Sequence, residues 1–150
     1  MSIMPKGYEF FDHTADVGVN VHGETLEELF RNAAAALHEA LGSLARGEER
    51  REKSVKLEAP TLEDLLHDWL AELLYEVETN CVLYDEIASL TVCRNGAAAP
   101  TFELQATLRG GLVDFDRSQT NEEIKAVTYH QLRVERTSDG QWRATVIFDV

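Results

Sequence analysis

The hydrophobic positions of the chain follow two different periods. Residues 17–22 alternate apolar with small or polar side chains, which is typical of a half-buried strand, and a shorter strand is predicted at 8–12. The turn between these strands falls on residues 13–16. From Leu26 the apolar residues recur every three or four positions as far as Gly42, so the pattern predicts an amphipathic helix that ends at this glycine.

A second helix has the broadest apolar face in the chain. Its opening residues, Thr61 to Asp64, follow the pattern of a helix N-terminal cap. The apolar face is formed by Leu62, Leu65, Leu66, Trp69, Leu70, Leu73, Leu74 and Val77, and the opposite face carries Glu63, Asp64, Asp68, Glu72 and Glu76. We therefore expect this helix to be the main core helix, with Trp69 buried.

The segments around the second helix favour strands and one loop. Residues 46–53 are charged throughout, which predicts a solvated loop before a strand at 55–59. After the helix, strands around 87–92 and 102–108 are predicted to form a hairpin through a turn at 95–100.

Glycine residues divide the C-terminal part of the chain. The pair at 110–111 is expected to break the preceding strand. A second hairpin follows, with strands at 124–136 and 141–150 that are joined by a turn at 138–140. Two helices among about seven strands predict an α+β two-layer domain with a mostly antiparallel or mixed sheet, and residues 1–150 are expected to form one domain.

Charge and composition narrow the class of protein. With 27 acidic and 14 basic residues the net charge is -13, which disfavours strong direct binding of nucleic acid, so any link to RNA would pass through a basic protein partner. The N-terminus lacks the apolar region of a signal peptide, and no uncharged run approaches the ~20 residues that cross a bilayer. We expect a cytoplasmic protein without a membrane partner. Cys81 and Cys93 lack the spacing of a zinc site.

Two aspartates at opposite ends of the chain are candidate metal ligands. Asp16 lies in the first turn, and Asp149 lies in the final strand on the opposite face from Phe148. With the α-carboxylate of Val150 they would supply the hard oxygen ligands that Ca²⁺, Mg²⁺ or Mn²⁺ prefers. Carboxylates gathered without a cation repel each other, which favours a metal. The alternative is that Asp16 only holds a turn and Asp149 lies exposed at a frayed end.

Other polar residues allow a functional or a structural interpretation. Lys125 follows two glutamates, so it either forms a surface ion pair or contacts the substrate or a carboxylate of a partner. His13 and His130 are candidate bases or ligands, but no nucleophile lies in a recognisable motif beside them, which favours structural histidines. The chain contains no phosphate-binding loop. A weaker candidate metal-binding face on the second helix consists of His67, Asp68 and Glu72.

Four segments, in a fixed order from one end of the chain to the other, resemble the archease family. They are YEFFDHTADVG at 8–18, DLLHDWLAELLY at 64–75, EIKAVTYH at 123–130 and VIFDV at 146–150. The resemblance implies an archease fold, which is a small α+β domain, and a role as a protein cofactor rather than an enzyme. Archeases assist the GTP-dependent RNA ligase that joins 2′,3′-cyclic-phosphate or 3′-phosphate ends to 5′-hydroxyl ends in tRNA splicing and RNA repair.

The resemblance also assigns roles to individual residues. In this family the protein promotes transfer of GMP to the active-site histidine of the ligase and supports multiple turnover. The family's metal-binding aspartates match Asp16 and Asp149, and Val150 adjoins them through its backbone or carboxylate. Ca²⁺ is the first expectation for the cation, with Mg²⁺ or Mn²⁺ as alternatives. Lys125 matches the functionally required lysine, whereas His13 belongs to the motif but receives no ligand role.

Two other functions stay open at this point. The resemblance also implies a chaperone-like role toward a tRNA cytosine methyltransferase. The carboxylates by themselves would suit a small metal-dependent hydrolase, although the lack of a clear base disfavours it. If the terminal carboxylate of Val150 binds the cation, we expect a C-terminal extension to impair binding more than an N-terminal one.

Overall fold

The computed structural model describes residues 7–13, 15–96, 100–121 and 123–150. Within these residues the helices are α1 (Leu26–Leu41) and α2 (Leu62–Asn80), and the strands are β1 (Tyr8–His13), β2 (Asp16–Gly23), β3 (Gly42–Ser43), β4 (Arg46–Ala59), β5 (Val82–Asn95), β6 (Thr101–Val113), β7 (Gln119–Thr120), β8 (Ala126–Val127), β9 (Arg133–Arg136) and β10 (Trp142–Asp149). The pairings between these strands are antiparallel. The predicted α+β class is confirmed. The predicted turns at 13–16 and 95–100 lie partly outside the described residues.

Threonine caps both helices, as their opening residues predict. The hydroxyls of Thr25 and Thr61 each accept a hydrogen bond from the backbone N–H three residues later, at 3.1 and 3.0 Å. Trp69 is fully buried in α2, and its Nε1 donates to the carbonyl oxygen of Phe30 in α1 at 2.9 Å. α2 is therefore the main core helix and is tied directly to α1. Neither helix in the described part of the chain is long and apolar enough to span a bilayer.

One residue of the expected polar face of α2 is buried instead. Glu76 is only 5% exposed. The ammonium of Lys53 in β4 donates to Glu72 and to Glu76, and Nδ2 of Asn80 donates to the other carboxylate oxygen of Glu76 at 3.0 Å. Burial raises the pKa of Glu76, but the hydrogen bonds from Lys53 and Asn80 outweigh burial and hold the pKa below its ordinary value. This ion-pair cluster joins β4 to α2.

The largest sheet has its last strand in the middle. Its order is β1-β2-β10, and the other edge of β10 pairs with β9 along its first half and with β8 at its end. The face that packs on the helices is formed by the buried residues Val19, Val21, Val146 and Phe148. On the outer face, the hydroxyl of Thr145 donates to Oδ1 of Asn20 at 2.9 Å. The outer face thus carries polar contacts between strands.

A second sheet, of order β4-β6-β5, contains the charged segment that we predicted to be a loop. The prediction of a loop at 46–53 is wrong, because β4 begins at Arg46 and pairs with β6 after a register irregularity between Arg46 and Arg50. Most side chains of this stretch are exposed, and β4 is an edge strand of the sheet. Charged residues on an edge strand discourage pairing with other molecules.

The predicted break at residues 110–111 is also wrong. β6 runs through both glycines to Val113. A Cβ at Gly110 would lie 1.8 Å from the carbonyl oxygen of Leu83 in β5, and a Cβ at Gly111 would lie 2.7 Å from that of Glu49 in β4. The glycines therefore allow both neighbouring strands to approach β6 closely, and they do not end the strand.

The first strand of the predicted C-terminal hairpin is divided into two. The predicted strand at 124–136 is replaced by β8 and β9, which are separated by a turn where the N–H of Leu132 donates to the carbonyl oxygen of Tyr129 at 3.2 Å. The predicted turn at 138–140 is confirmed, because the N–H of Thr137 donates to the carbonyl oxygen of Gln141 at 2.7 Å. β10 therefore has two short partners on one edge.

Candidate metal site

The two aspartates from opposite ends of the chain lie directly across from each other. In the register between β2 and β10, Asp16 is the partner of Asp149. Partners in adjacent antiparallel strands have Cβ atoms roughly 4.5 to 5.5 Å apart and share one face of the sheet. Phe148 packs into the core, so its neighbour Asp149 lies on the outer face, away from the helices. The fold therefore brings the two predicted ligands together.

A tight turn positions Asp16. His13 is its partner across the β1–β2 hairpin, so two residues connect the strands. The second of them, Ala15, has φ +61°, in the left-handed region that residues other than glycine rarely adopt. Thr14 and the side chain of His13 lie outside the described residues. Backbone strain beside candidate ligands is common at functional sites, where the surrounding structure maintains it.

An apolar surface adjoins the two aspartates on the outer face. Gly18 follows Asp16 on the same face of β2, with Phe11 of β1 and Ile147 of β10 as its cross-strand partners. A Cβ at Gly18 would lie 2.3 Å from the ring of Phe11, so the ring lies over this glycine. Ile147 is only 1% exposed. The carboxylates are therefore bordered on one side by apolar side chains that exclude water.

Lys125 is held beside Asp149 through its backbone. Its N–H donates to the carbonyl oxygen of Asp149 at 2.7 Å, and the next residue, Ala126, is the partner of Asp149 in the β8–β10 register. The side chain is exposed, and its ammonium forms no ion pair with a carboxylate in the described part of the chain. Glu122, one of the two glutamates considered as its partner, lies outside that part. Lys125 is thus placed where its ammonium is accessible to another molecule.

Val150 is anchored on the opposite face from Asp149. Its half-buried side chain packs against the core and lines a mostly apolar surface pocket of about 280 Å³, whose wall also includes Phe10, Val17 and Ile124 and the polar residues Glu39 and Asn121. These contacts fix the main chain immediately after Asp149. Val150 directly follows Asp149 in the chain, so its main-chain oxygens are candidate ligands beside the pair of aspartates.

For a bound cation, these residues would supply only part of a coordination shell. Asp16 and Asp149 provide two hard carboxylates, and an oxygen of Val150 would add a third ligand. Ca²⁺ takes roughly six to eight oxygen ligands and Mg²⁺ about six. Among the residues that the structure describes, no three His, Cys, Asp or Glu side chains are grouped so that they could hold a metal. A cation bound here would complete its shell with water or with groups of a partner.

Comparison with known proteins identifies the family. Residues 8–150 match the Archease protein family. The chain belongs to the archease family. The archease of Methanosarcina barkeri is 35% identical over 150 residues, which is 100% of both chains. The archease of Thermococcus gammatolerans is 33% identical over 97% of this chain and 99% of its own length.

Two solved structures share the fold of this archease. The solution structure of protein 1598 of Methanobacterium thermoautotrophicum has a TM-score of 0.74 and 32% identity, and the match covers 97% of this chain and 99% of that protein. The crystal structure of an archease from Thermotoga maritima, described as a possible chaperone, has a TM-score of 0.64 and 27% identity, with 93% and 94% covered. The predicted archease fold is confirmed.

The weaker candidate metal face on α2 is not assembled in this archease. The ring of His67 stacks on Tyr129, with centroids 3.9 Å apart and planes inclined by 15°. Its Nε2 lies 2.9 Å from the carbonyl oxygen of Val127, and its Nδ1 lies 3.1 Å from Oδ1 of Asp68. Glu72 belongs to the ion-pair cluster on the other side of the helix. Both nitrogens of His67 therefore serve the local structure.

Sequence reasoning missed one feature beside the candidate metal site. Glu78 of α2 and Glu123 both line the surface groove that includes Lys125. In the sequence, Glu123 stands out only as a neighbour of Lys125, and no regular spacing relates it to Glu78.

The candidate histidine His130 lies in the turn after β8, where its N–H donates to Oγ1 of Thr128 at 3.2 Å.

Proposed function

We propose that this archease is a non-enzymatic accessory protein that binds a divalent cation at Asp16 and Asp149 and activates a GTP-dependent RNA ligase specific for 3′-phosphate ends. The cross-strand pairing of Asp16 with Asp149 is the observation that supports this proposal. Two carboxylates that share one face of a sheet repel each other, and a hard cation between them offsets the repulsion.

The cation in this proposal is Ca²⁺, Mg²⁺ or Mn²⁺. Asp16, Asp149 and an oxygen of Val150 contribute ligands, and the positions that they leave open accept groups from the ligase or its nucleotide. An incomplete coordination shell suits a protein that presents its metal to a partner. The acidic surface, with a net charge of -13, favours association with a basic RNA-binding protein over binding of RNA itself.

Lys125 has a separate part in this mechanism. Its backbone bond to Asp149 holds the segment that carries it next to the site, and in this proposal its exposed ammonium contacts the nucleotide or a carboxylate of the ligase. The cation and Lys125 together stabilise the arrangement in which GMP is transferred to the ligase histidine. The accessory protein raises the rate of guanylylation and supports repeated turnover without catalysing a reaction alone.

A guanylylation assay with the cognate ligase tests this proposal. We expect Asp16→Asn, Asp149→Asn and Lys125→Ala each to reduce the stimulation by more than about tenfold, because each removes a ligand or the charge of the lysine. Asp12→Asn is the matched control, since Asp12 lies on β1 as the partner of Val17 and not of either aspartate. Undiminished stimulation by all three variants, with their fold intact, would exclude this site.

A chaperone-like role toward a tRNA cytosine methyltransferase is the second candidate function. It is supported by the Thermotoga maritima relative, which is described as a possible chaperone. This function predicts that the protein co-purifies with a methyltransferase and suppresses its aggregation equally well with wild-type sequence and with Asp16→Asn. A dependence of that suppression on the aspartates would instead favour the metal-dependent function.

A further inference from the structure

The exposed aromatic side chains of the protein surround one surface. In the described part of the chain, the large hydrophobic residues with the greatest exposure are Tyr75 at 54%, Phe115 at 55% and Tyr129 at 58%. Tyr75 lines a groove of about 450 Å³ between α2 and residues 123–127. Phe115 lines an adjoining groove of about 240 Å³. Tyr129 stacks on His67 at the other end of the larger groove. Exposed aromatic area that is concentrated in this way is typical of a binding surface.

Two carboxylates lie where the grooves meet. Glu78 and Glu123 line both of them, and we call the joined surface, from His67 to Phe115, the α2 channel. Neither carboxylate pairs with a basic side chain among the described residues. Partial burial and the charge of Glu123 raise the pKa of Glu78 above its ordinary value. Lys125 also lines the larger groove but forms no ion pair with either carboxylate, so Glu78 and Glu123 remain available to a positively charged ligand.

A guanidinium group matches this environment better than other cationic groups. It is planar and carries five N–H donors, so it can bind two carboxylates at once, and it stacks on aromatic rings. Its aliphatic stem packs on apolar surface such as that of Tyr75 and Phe115. An ammonium group offers a single point of charge and does not stack in the same manner.

We infer that the α2 channel is a docking site for a basic segment of the partner protein, with an arginine side chain between Glu78 and Glu123 and apolar side chains against Tyr75 and Phe115. This inference rests on the proposed function, because the partner is the ligase. Residues 123–127 line the channel, and the N–H of Lys125 in this segment donates to the carbonyl oxygen of Asp149, so one backbone segment adjoins both the channel and the candidate metal site. A segment bound in the channel would hold the ligase against the segment that borders Asp149.

A peptide titration tests the channel without the ligase. The probe is the peptide acetyl-Leu-Ala-Arg-Ala-Leu-amide, and its comparison peptide has citrulline, which is nearly isosteric but neutral, in place of arginine. We expect the arginine peptide to shift the NMR signals of Tyr75, Glu78 and Glu123 and to bind at least about tenfold more tightly than the citrulline peptide. Equal affinity of the two peptides, or shifts elsewhere, would overturn the inference.

Substitutions at the carboxylates provide the second half of this test. The double variant Glu78→Gln with Glu123→Gln should lose about tenfold in affinity for the arginine peptide. The matched control, Glu48→Gln with Glu49→Gln, removes the same charge from exposed positions of β4 and should bind as the wild type does. Equal losses in both double variants would show a general charge effect and would overturn the inference.

Measurements on the ligase separate this inference from the proposed function. Replacement of Glu78 and Glu123 should weaken binding of the ligase about tenfold and leave Mn²⁺ binding by the isolated archease unchanged, whereas Asp16→Asn should reduce Mn²⁺ binding. If Asp16→Asn abolishes stimulation but the channel variant binds the ligase normally, the docking site is wrong and the proposed function stands. If the arginine peptide binds in the channel but the ligase does not associate, the ligase is the wrong partner.

Discussion

Glu76 and Glu78 lie two residues apart on α2, and their environments shift the pKa values of their carboxyl groups in opposite directions. Glu76 is buried and accepts hydrogen bonds from Lys53 and Asn80, which hold its pKa below the ordinary value despite burial. Glu78 is exposed at the α2 channel, where partial burial and Glu123 raise its pKa. A glutamate on this helix thus supports the fold when its partner is a positively charged side chain. Opposite another carboxylate, it prepares a surface for a positively charged ligand.

The largest expected effect on stability comes from removing Lys53, the positively charged member of the ion-pair cluster with Glu72 and Glu76. Lys53→Ala leaves Glu76 buried without its ion pair, and we expect the free energy of unfolding to fall by about 2 to 3 kcal/mol. This is below the cost of breaking a fully buried pair, because the Lys53 side chain is 32% exposed. Urea denaturation at pH 7 measures the change.

Two further variants control this experiment. Lys56→Ala removes an exposed lysine from the same strand and should change the free energy of unfolding by less than about 0.5 kcal/mol. Replacing Lys53 and Glu76 together by methionine and leucine should restore much of the lost stability, because no buried charge remains. A loss after Lys53→Ala no greater than that after Lys56→Ala would refute a stabilising role for the cluster.

The next largest expected effect on stability concerns the buried residue His38. Nε2 of His38 is inaccessible to solvent and has no hydrogen-bond partner in the described structure, and burial lowers the pKa of His38 to about 4, although Asp85 acts to raise it. The ordinary pKa is 6.5, so the unfolded chain takes up a proton between about pH 6.5 and 4 that the folded chain does not. Stability from this residue is therefore lost as the pH falls through that range.

Urea denaturation at pH 7 and pH 5 measures the contribution of His38. The wild type should lose about 2 kcal/mol more of its unfolding free energy between these pH values than His38→Leu does. Since both proteins share the same carboxylates, the difference reports on this histidine. Identical losses in the two proteins would mean that the folded state accommodates the charged imidazole.

The smallest expected effect is at Glu78. Because its pKa is raised in the folded protein, its stabilising contribution is present at low pH and is lost as the pH rises through the folded pKa. Glu78→Gln should therefore be at least as stable as the wild type at pH 7, with a gain below about 0.5 kcal/mol because the carboxylate is exposed and screened. The gain should vanish at low pH. A marked loss of stability at pH 7 would mean that Glu78 has a stabilising partner.

The periodicity of hydrophobic residues predicted the helices and strands that have one buried face. Both helices and β2 have a clear apolar side, and each lies where the sequence placed it. The charged residues 46–53 form an edge strand that projects beyond the core, so no hydrophobic alternation marks them. The glycines of β6 look like a break in the sequence, because only the structure shows the neighbouring strands that pass close to them.

The sequence predicted which residues form the candidate site, but it did not predict how they are arranged in space. Residue types and the family motifs singled out Asp16, Lys125 and Asp149, and strand alternation placed Asp149 opposite the core face. The register that makes Asp16 its partner depends on pairing between strands far apart in the chain. The Lys53 cluster and the pair of Glu78 and Glu123 are also long-range contacts, for which local pattern carries no signal.

The position of β10 between β2 and the pair of β8 and β9 affects how the protein is made. A ribosome delivers β1 and β2 long before β10, so the largest sheet cannot close until β10 has been synthesised. Until then β2 presents an unpaired edge to other nascent chains. Asp16 acquires its cross-strand partner in the same step, and cation binding at this pair would therefore distinguish molecules in which this sheet has closed from those in which it is still open.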